Sequence, residues 1–317
     1  MSERQARQPV LIKDGEHALP YSKGLTANTI IVSGLTPGRA YHIAQVVQDR
    51  LHALGRSAVE AAELRQLVAD TIREEAGERY AKIYERWQAI GSLDVPLIIM
   101  IGGATGVGKS TVATQLAARL GIVRLISSDA IREVMKSTFS REFMPTLYTS
   151  SFDAAGVVKA KTARGDDPVL AGFRDQVSAV AVGVDALIQR AVAESTDVII
   201  EGAHVVPGFL HEAALSGRAV IVRLVLQVED EELHRSHFRV RAHDTRHRPV
   251  ERYLAHFEAI RKIQKYIKSL ALQHGVPVIT NFNLDATLRA ATDLVIERVT
   301  AAASLSETVR AIPGGTR

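Results

Sequence analysis

The stretch IGGATGVGKST, residues 101–111, sets glycines, a lysine and two hydroxyls in the spacing G-x-x-x-x-G-K-[ST], satisfied by Gly103, Gly108, Lys109 and Ser110. Glycines let successive backbone N–H groups converge on phosphate oxygens, and a helix beginning at the lysine adds the positive end of its dipole. Gly103, Ala104, Thr105, Gly106, Val107, Gly108, Lys109, Ser110 and Thr111 are therefore the candidate phosphate cradle, with ATP as the expected ligand. Lys109 is expected to reach the β- and γ-phosphates and the Ser110 hydroxyl to ligate Mg²⁺. An apolar run, PLIIMI, precedes the motif and a helical run, TVATQLAARL, follows it, as such a cradle requires. A phosphate cradle alone does not separate a kinase from a motor or a switch.

Other segments bear on that choice. SSDAIREVMK, residues 127–136, follows a second apolar run, where strand ends of an open sheet face the crevice. Asp129 there can orient an attacking hydroxyl or take its proton, and Arg132, one helical turn on, can grip an anion. The competing reading is that Asp129 or Ser128 only caps the helix. In DVIIEGAHVVPG, residues 197–208, Glu201 leaves an apolar strand where a carboxylate can organise Mg²⁺ through water. His204 lies close by, either touching substrate or hydrogen-bonded within its loop.

From His234 to Arg248, fifteen residues hold five Arg and four His against one acid, Asp244. A solvated helix face normally intersperses acids, so this density suits two anionic reactants brought together. Arg241 is the candidate for neutralising transition-state charge, and Arg241, Arg246 and Arg248 join Arg132 and Asp129 as candidates around an acidic acceptor. A nucleic-acid patch is disfavoured by the scarcity of aromatics, with only Phe238 inside the segment. The spacings His234-x-x-His237 and His243-x-x-x-His247 hint faintly at a metal, against which the neighbouring arginines argue.

These residues need positioning elements. PLIIMI, LISS, DVIIEG, AVIVRLVL and PVIT read as buried strands separated by helical periodicity, such as Val177, Val180, Ala181, Val184, Leu187 and Ile188 on one face. That grammar predicts a mostly parallel α/β sheet covered on both sides. Val250, Leu254, Phe257, Ile260 and Ile263 predict one late helix. Ahead of the sheet, VLIKDGEHALPY predicts a hairpin, followed by helices with Tyr41, Ala44, Val47 and Leu51 on one apolar face, then Leu64, Leu67, Val68 and Ile72, then Tyr80, Ile83, Tyr84 and Trp87. The expected organisation is a frayed tail 1–9, a small unit 10–88, a linker 89–96, the sheet domain 97–302 and a flexible tail 303–317. No cysteine is present, which excludes disulfides and a thiol nucleophile. A net charge of +4 suits an anionic ligand, and no apolar stretch approaches the roughly 20 residues of a membrane span. The expectation is a cytoplasmic protein, with a homo-oligomer left open.

Together, IGGATGVGKST, SSDAIREVMK, FMPTLYTSSF, IIEGAHVVPG and the block running from HFRVRA to YLAHFEAIRKIQKYI resemble the 2-phosphoglycerate kinase family over residues 97 to about 297. The resemblance implies a P-loop kinase fold with a short parallel sheet flanked by helices. It implies ATP-dependent phosphorylation of the 3-hydroxyl of 2-phosphoglycerate to 2,3-bisphosphoglycerate. Thr146, Tyr148, Thr149 and Ser150 would then offer hydroxyls to the acceptor. The N-terminal unit resembles an ATP-cone, a small α+β regulatory module, through Ile12-Lys13-Asp14-Gly15 and Pro20-Tyr21-Ser22-Lys23, which makes Lys13 and Lys23 the expected contacts of a regulatory nucleotide. Ile12 stands where that pattern often has a basic residue. Two alternatives stay open: a kinase acting on another phosphorylated or acidic alcohol, and an ATP-gated regulatory or nucleic-acid-binding protein.

Overall fold

The computed structural model describes residues 9–90, 95–157, 166–211, 215, 217–244 and 250–310. The chain divides into two compact units, one of residues 1–93, 118–121 and 299–317, the other of 94–117 and 122–298.

In the first unit the hairpin forms from β1 (Leu11–Asp14) and β2 (His17–Pro20). Then come α1 (Lys23–Ile31), α2 (Pro37–Ala53), β3 (Ala58–Glu60), α3 (Ala61–Ala76) and α4 (Glu78–Ile90). β3 pairs with β1 in parallel, an addition the sequence reading lacked because three residues carry too little alternation to register. Ile30, Ile43, Val47, Leu51, Val68, Ile72 and Tyr84 form the core. Tyr41, expected on that apolar face, is exposed, since its ring carries a hydroxyl that water satisfies. α4 extends into the span expected as linker, and residues 1–8 and 91–94 lie outside the described residues.

The second unit alternates strand and helix as its periodicity predicts. β4 (Leu97–Gly102) leads to α5 (Lys109–Leu120), β5 (Leu125–Ser127), α6 (Ser128–Thr138), α7 (Pro168–Ala193), β6 (Val198–Gly202), β7 (Val220–Gln227), α8 (Glu231–Asp244), α9 (Val250–Ala255), α10 (Phe257–Gln273), β8 (Val278–Thr280) and α11 (Leu284–Arg310). All five strands are parallel, in the order β5-β6-β4-β7-β8. The central strand, β4, is buried throughout, and each of its isoleucines contributes about 2 kcal/mol by leaving water. β5 departs from expectation: it is a short edge strand, with Leu125 partly exposed. Val180, Val184 and Ile188 of α7 pack with Ile98, Met100, Val198 and Ile200 on one sheet face. This 26-residue helix is long and apolar enough by composition to cross a membrane, unlike any stretch the sequence reading found. Here its apolar stripe covers the sheet.

The late helix is two helices. The chain breaks at His256, so Phe257, Ile260 and Ile263 are buried while Val250 and Leu254 are only half-buried. At the C-terminus α11 continues past residue 302 to Arg310, since LSETVR holds no helix breaker, and residues 311–317 lie outside the described residues.

Candidate active site

Most of the candidates that the structure brings together lie at or just past the C-terminal end of a strand. Lys109 comes after β4, Asp129 after β5, Glu201 and His204 at the end of β6, His234 and His237 after β7, and Asn281 after β8. In a parallel sheet these ends share one edge, and the helices that follow turn their N-termini toward it.

The cradle runs from Gly103 to the first turn of α5. Gly106 and Gly108 have φ values of +85° and +89°, and a Cβ on either would lie 2.4 Å from the Phe238 ring or the Asn281 amide. Both the backbone conformation and the space there demand glycine. Lys109 is almost fully buried, with Nζ donating to the Ala104 carbonyl at 2.7 Å. The Ser110 hydroxyl donates to Glu201 Oε1 at 2.9 Å, joining the start of α5 to the end of β6. Hydroxyl and carboxylate are hard oxygen donors of the kind Mg²⁺ takes, so the pair fits that ion.

Of the histidines that hinted at metal, His234 and His237 hold the cradle instead, while the side chain of His243 and the whole of His247 lie outside the described residues. His234 Nε2 faces the Thr105 carbonyl and His237 Nδ1 the Gly106 carbonyl, each at 2.9 Å. Carbonyls only accept, so the facing nitrogen carries the proton in both rings. Burial pushes His234 down to about 4, which keeps it neutral. Asn281 completes the grip, donating from Nδ2 to the Val107 carbonyl at 2.9 Å while its Oδ1 accepts from Thr287.

Asp129 lies on the first turn of α6, but Ser127 caps that helix by accepting from the Ala130 amide at 3.1 Å. The capping reading of Asp129 and Ser128 therefore fails. The Asp129 side chain is 63% exposed and faces Arg132 Nε at 3.4 Å. Partial desolvation of the carboxyl works upward, but its coupling to His204 and the positive charges of Arg132 and Lys109 outweigh it and hold the group below its ordinary range. His204 is wholly buried between the Ser128 hydroxyl (2.8 Å) and Gln176 Oε1 (3.0 Å), the loop-bonded role rather than a substrate contact. Its burial pushes it to about 4, despite the attraction of Asp129.

Two cavities meet at this edge and share Gly106, Lys109 and Ser110. The first, about 250 Å³, is lined also by Asp129, Arg132, Ser150, Ser151, Glu201 and Arg252. The second, about 390 Å³, opens between His237 and Val240 of α8 and the Asn281–Leu284 segment. Val240 and Phe282 there are 65% and 69% exposed, leaving apolar faces beside the cradle.

Of the other candidates, some hydroxyls and Arg132 bond within the protein, and others lie outside the described residues. Arg132 borders the first cavity, yet its Nη1 donates to the carbonyls of Leu147 (2.8 Å) and Thr149 (3.2 Å). Thr146 bonds Asp175, Tyr148 bonds the carbonyls of Lys136 and Phe139, and Thr149 bonds the Thr146 carbonyl, so only Ser150 of the four expected hydroxyls lines the cavity. Arg241 lies on α8, and its side chain is outside the described residues, as are Arg246 and Arg248 entirely. In the first unit Lys13 is exposed on β1, while Lys23 opens α1 and donates to Gln45 at 3.0 Å. Sequence reasoning missed Arg252, Ser151 and Asn281. The strand-end rule that found Glu201 would have found Asn281, directly after PVIT. Arg252 was hidden inside what read as one continuous helix.

The first cavity opens on Lys109 and carries polar side chains beyond the cradle, as an acceptor of the γ-phosphoryl group requires. Fold and site together define a P-loop kinase of a small molecule. The "AAA domain" family profile matches residues 97–266. Over 282 residues the chain is 40% identical to the 2-phosphoglycerate kinase of Methanothermobacter thermautotrophicus, covering 89% of this chain and 90% of that protein. It is 38% identical to the enzymes of the same name from Methanopyrus kandleri (88% of this chain, 84% of that protein) and Pyrococcus furiosus (91% and 93%). The chain belongs to the 2-phosphoglycerate kinase family.

Proposed function

We propose that this chain transfers the γ-phosphoryl group of ATP to the 3-hydroxyl of 2-phosphoglycerate, giving 2,3-bisphosphoglycerate and ADP. The observation that carries the reading is the polar cavity shared by Lys109, Ser110, Asp129 and Glu201, in a chain related over about nine-tenths of its length to enzymes of that name.

The cradle amides and Lys109 would hold the triphosphate, with the purine in the second cavity against Val240 and Phe282. Ser110, with Glu201 through water, would hold Mg²⁺, which when bound screens the charge of the phosphate oxygens. The acceptor hydroxyl lies beside Asp129. As its oxygen bonds to the γ-phosphorus, the bond to the β,γ-bridging oxygen breaks and the electron pair leaves with ADP. The hydroxyl proton passes to Asp129. A carboxylate held below its ordinary range is a weak base, which suits a loose transition state in which the proton moves late. Lys109 and Arg241 would neutralise charge on the transferred group, the latter reading supported by the attachment of α8 to the cradle. For the N-terminal unit the proposal is a regulatory nucleotide, supported by the exposure of Lys13.

The test is ADP release with Mg·ATP and a panel of phosphorylated hydroxy acids, with the product identified by ³¹P NMR. Release that depends on 2-phosphoglycerate and falls at least ~100-fold in Asp129→Asn is expected. Release indifferent to every acceptor would sink the reading.

A further inference from the structure

We propose that Arg252, with Ser150 and Ser151, receives the phosphate that the acceptor already carries; this rests on the phosphoglycerate reading above. Three cationic side chains border the first cavity among the described residues, Lys109, Arg132 and Arg252. Lys109 belongs to the nucleotide cradle. Arg132 is committed to the fold: besides the two carbonyls that Nη1 holds, Nη2 meets Glu133 at 3.0 Å and Nε meets Asp129 at 3.4 Å, and only 14% of the side chain is exposed. Turning it toward a ligand would remove the charged donor from the carbonyls of Leu147 and Thr149 and leave the latter to Gln176 alone.

Arg252 is placed differently. Half of its side chain is exposed, and among the described residues it is held by one ion pair, Nη2 to Asp153 Oδ2 at 3.1 Å. A guanidinium carries five N–H donors, so this pair engages a minority of them at the cavity that Arg252 lines, and the guanidinium carbon lies 5.9 Å from the Phe152 ring centroid. The backbone beneath is well anchored. Tyr253 stacks on Phe238 at 5.0 Å and meets Phe152 edge-on at 5.8 Å. Phe152 in turn packs on His256 at 5.3 Å. Because Phe152 lies between Ser151 and Asp153 in sequence, one aromatic cluster sets the two hydroxyls and the guanidinium on a common wall. A planar fork flanked by hydroxyl donors is the chemistry that recognises a phosphate monoester dianion.

The experiment compares wild type, Arg252→Ala and Arg252→Lys. It measures the KM for 2-phosphoglycerate, the KM for ATP, and inhibition by glycerate, which keeps the carboxylate and lacks the phosphate. Arg252→Ala is expected to raise the KM for 2-phosphoglycerate about 10- to 100-fold, with Arg252→Lys intermediate. The KM for ATP and the inhibition constant of glycerate should stay within about twofold, which also reports an intact fold. A KM for 2-phosphoglycerate that does not change overturns the proposal. So does a parallel rise for ATP, which marks a structural role, or a parallel weakening of glycerate, which assigns Arg252 to the carboxylate. A wild-type enzyme that does not turn over 2-phosphoglycerate sinks both this proposal and the functional reading, whereas turnover with Arg252→Ala unaffected sinks this one alone.

Discussion

His234 donates its Nε2 proton to the Thr105 carbonyl across 2.9 Å, and the same turn of α8 reaches the next carbonyl, that of Gly106, through His237. The helix that carries Arg241 is thereby fastened to the phosphate cradle. Arg261 reinforces it from α10, with Nη1 3.5 Å from His234 Nδ1 and also donating to the Val228 carbonyl.

If this grip sets the cradle for triphosphate, His234→Ala should weaken nucleotide more than acceptor. Removing a buried donor and leaving its carbonyl unpaired costs about 1–3 kcal/mol. The KM for ATP is expected to rise about tenfold while that for 2-phosphoglycerate moves less than twofold. Steady-state kinetics with each substrate varied in turn would check this, and equal rises in both would refute it.

Acid should destabilise the protein through two histidines. His204 and His234 are each displaced from the ordinary 6.5 to about 4. Between those values the unfolded chain binds protons that the folded chain does not, so unfolding is favoured as pH falls. The contribution is fully present above about pH 6.5 and is lost progressively toward pH 4. Asp129, held below its ordinary range, titrates beneath this window. Urea unfolding at pH 7 and pH 5 should show a loss on the order of a few kcal/mol. His204→Gln, which keeps hydrogen-bonding capacity without the titration, should show a smaller one. An equal loss in the variant would assign the effect elsewhere.

Much of this geometry was legible in the sequence. Continuous apolar runs marked the central strands β6, β4 and β7 because strands covered on both faces have no polar side, the short edge strands β5 and β8 were marked by briefer runs, and residues at their C-terminal ends are committed to one edge. Asp129 and Glu201 follow from that rule, and Lys109 and Ser110 from the glycine–lysine–hydroxyl spacing after the first run. Arg252 does not, because an apolar period running through Val250, Leu254 and Phe257 conceals the break at His256. The roles of Thr146 and Tyr148 were equally hidden. A hydroxyl's partner depends on which carbonyl the fold brings beside it, and local sequence carries no record of that.

The Ser110–Glu201 pair predicts a separation of charge from shape. Glu201→Gln keeps an acceptor for the Ser110 hydroxyl, so the fold should persist, but it removes the charge that would organise Mg²⁺. The Mg²⁺ concentration giving half-maximal ADP release should rise about tenfold, and kcat should fall about 100-fold. Superimposable Mg²⁺ titrations of variant and wild type would exclude Glu201 from the metal site.

Arg132 supports the wall of the first cavity that carries Ser150 and Ser151. Its Nη1 holds the carbonyls of Leu147 and Thr149, and Gln176 Nε2 holds those of Thr146 and Thr149. Gln176 also accepts from His204, which accepts in turn from the Ser128 hydroxyl, so the turn before Ser150 is tied to the start of α6. Arg132→Ala leaves two carbonyls without their charged donor and should cost about 2–3 kcal/mol of stability. Because the loosened turn leads into Ser150 and Ser151, the KM for 2-phosphoglycerate should rise while the KM for ATP does not. Arg132→Lys should recover little of either, since a single ammonium cannot reproduce the guanidinium's reach to two carbonyls and two carboxylates. Thermal unfolding and acceptor titration of both variants decide the matter. A lysine variant with wild-type stability and KM would mean that charge alone, and not the fork, is what this position supplies.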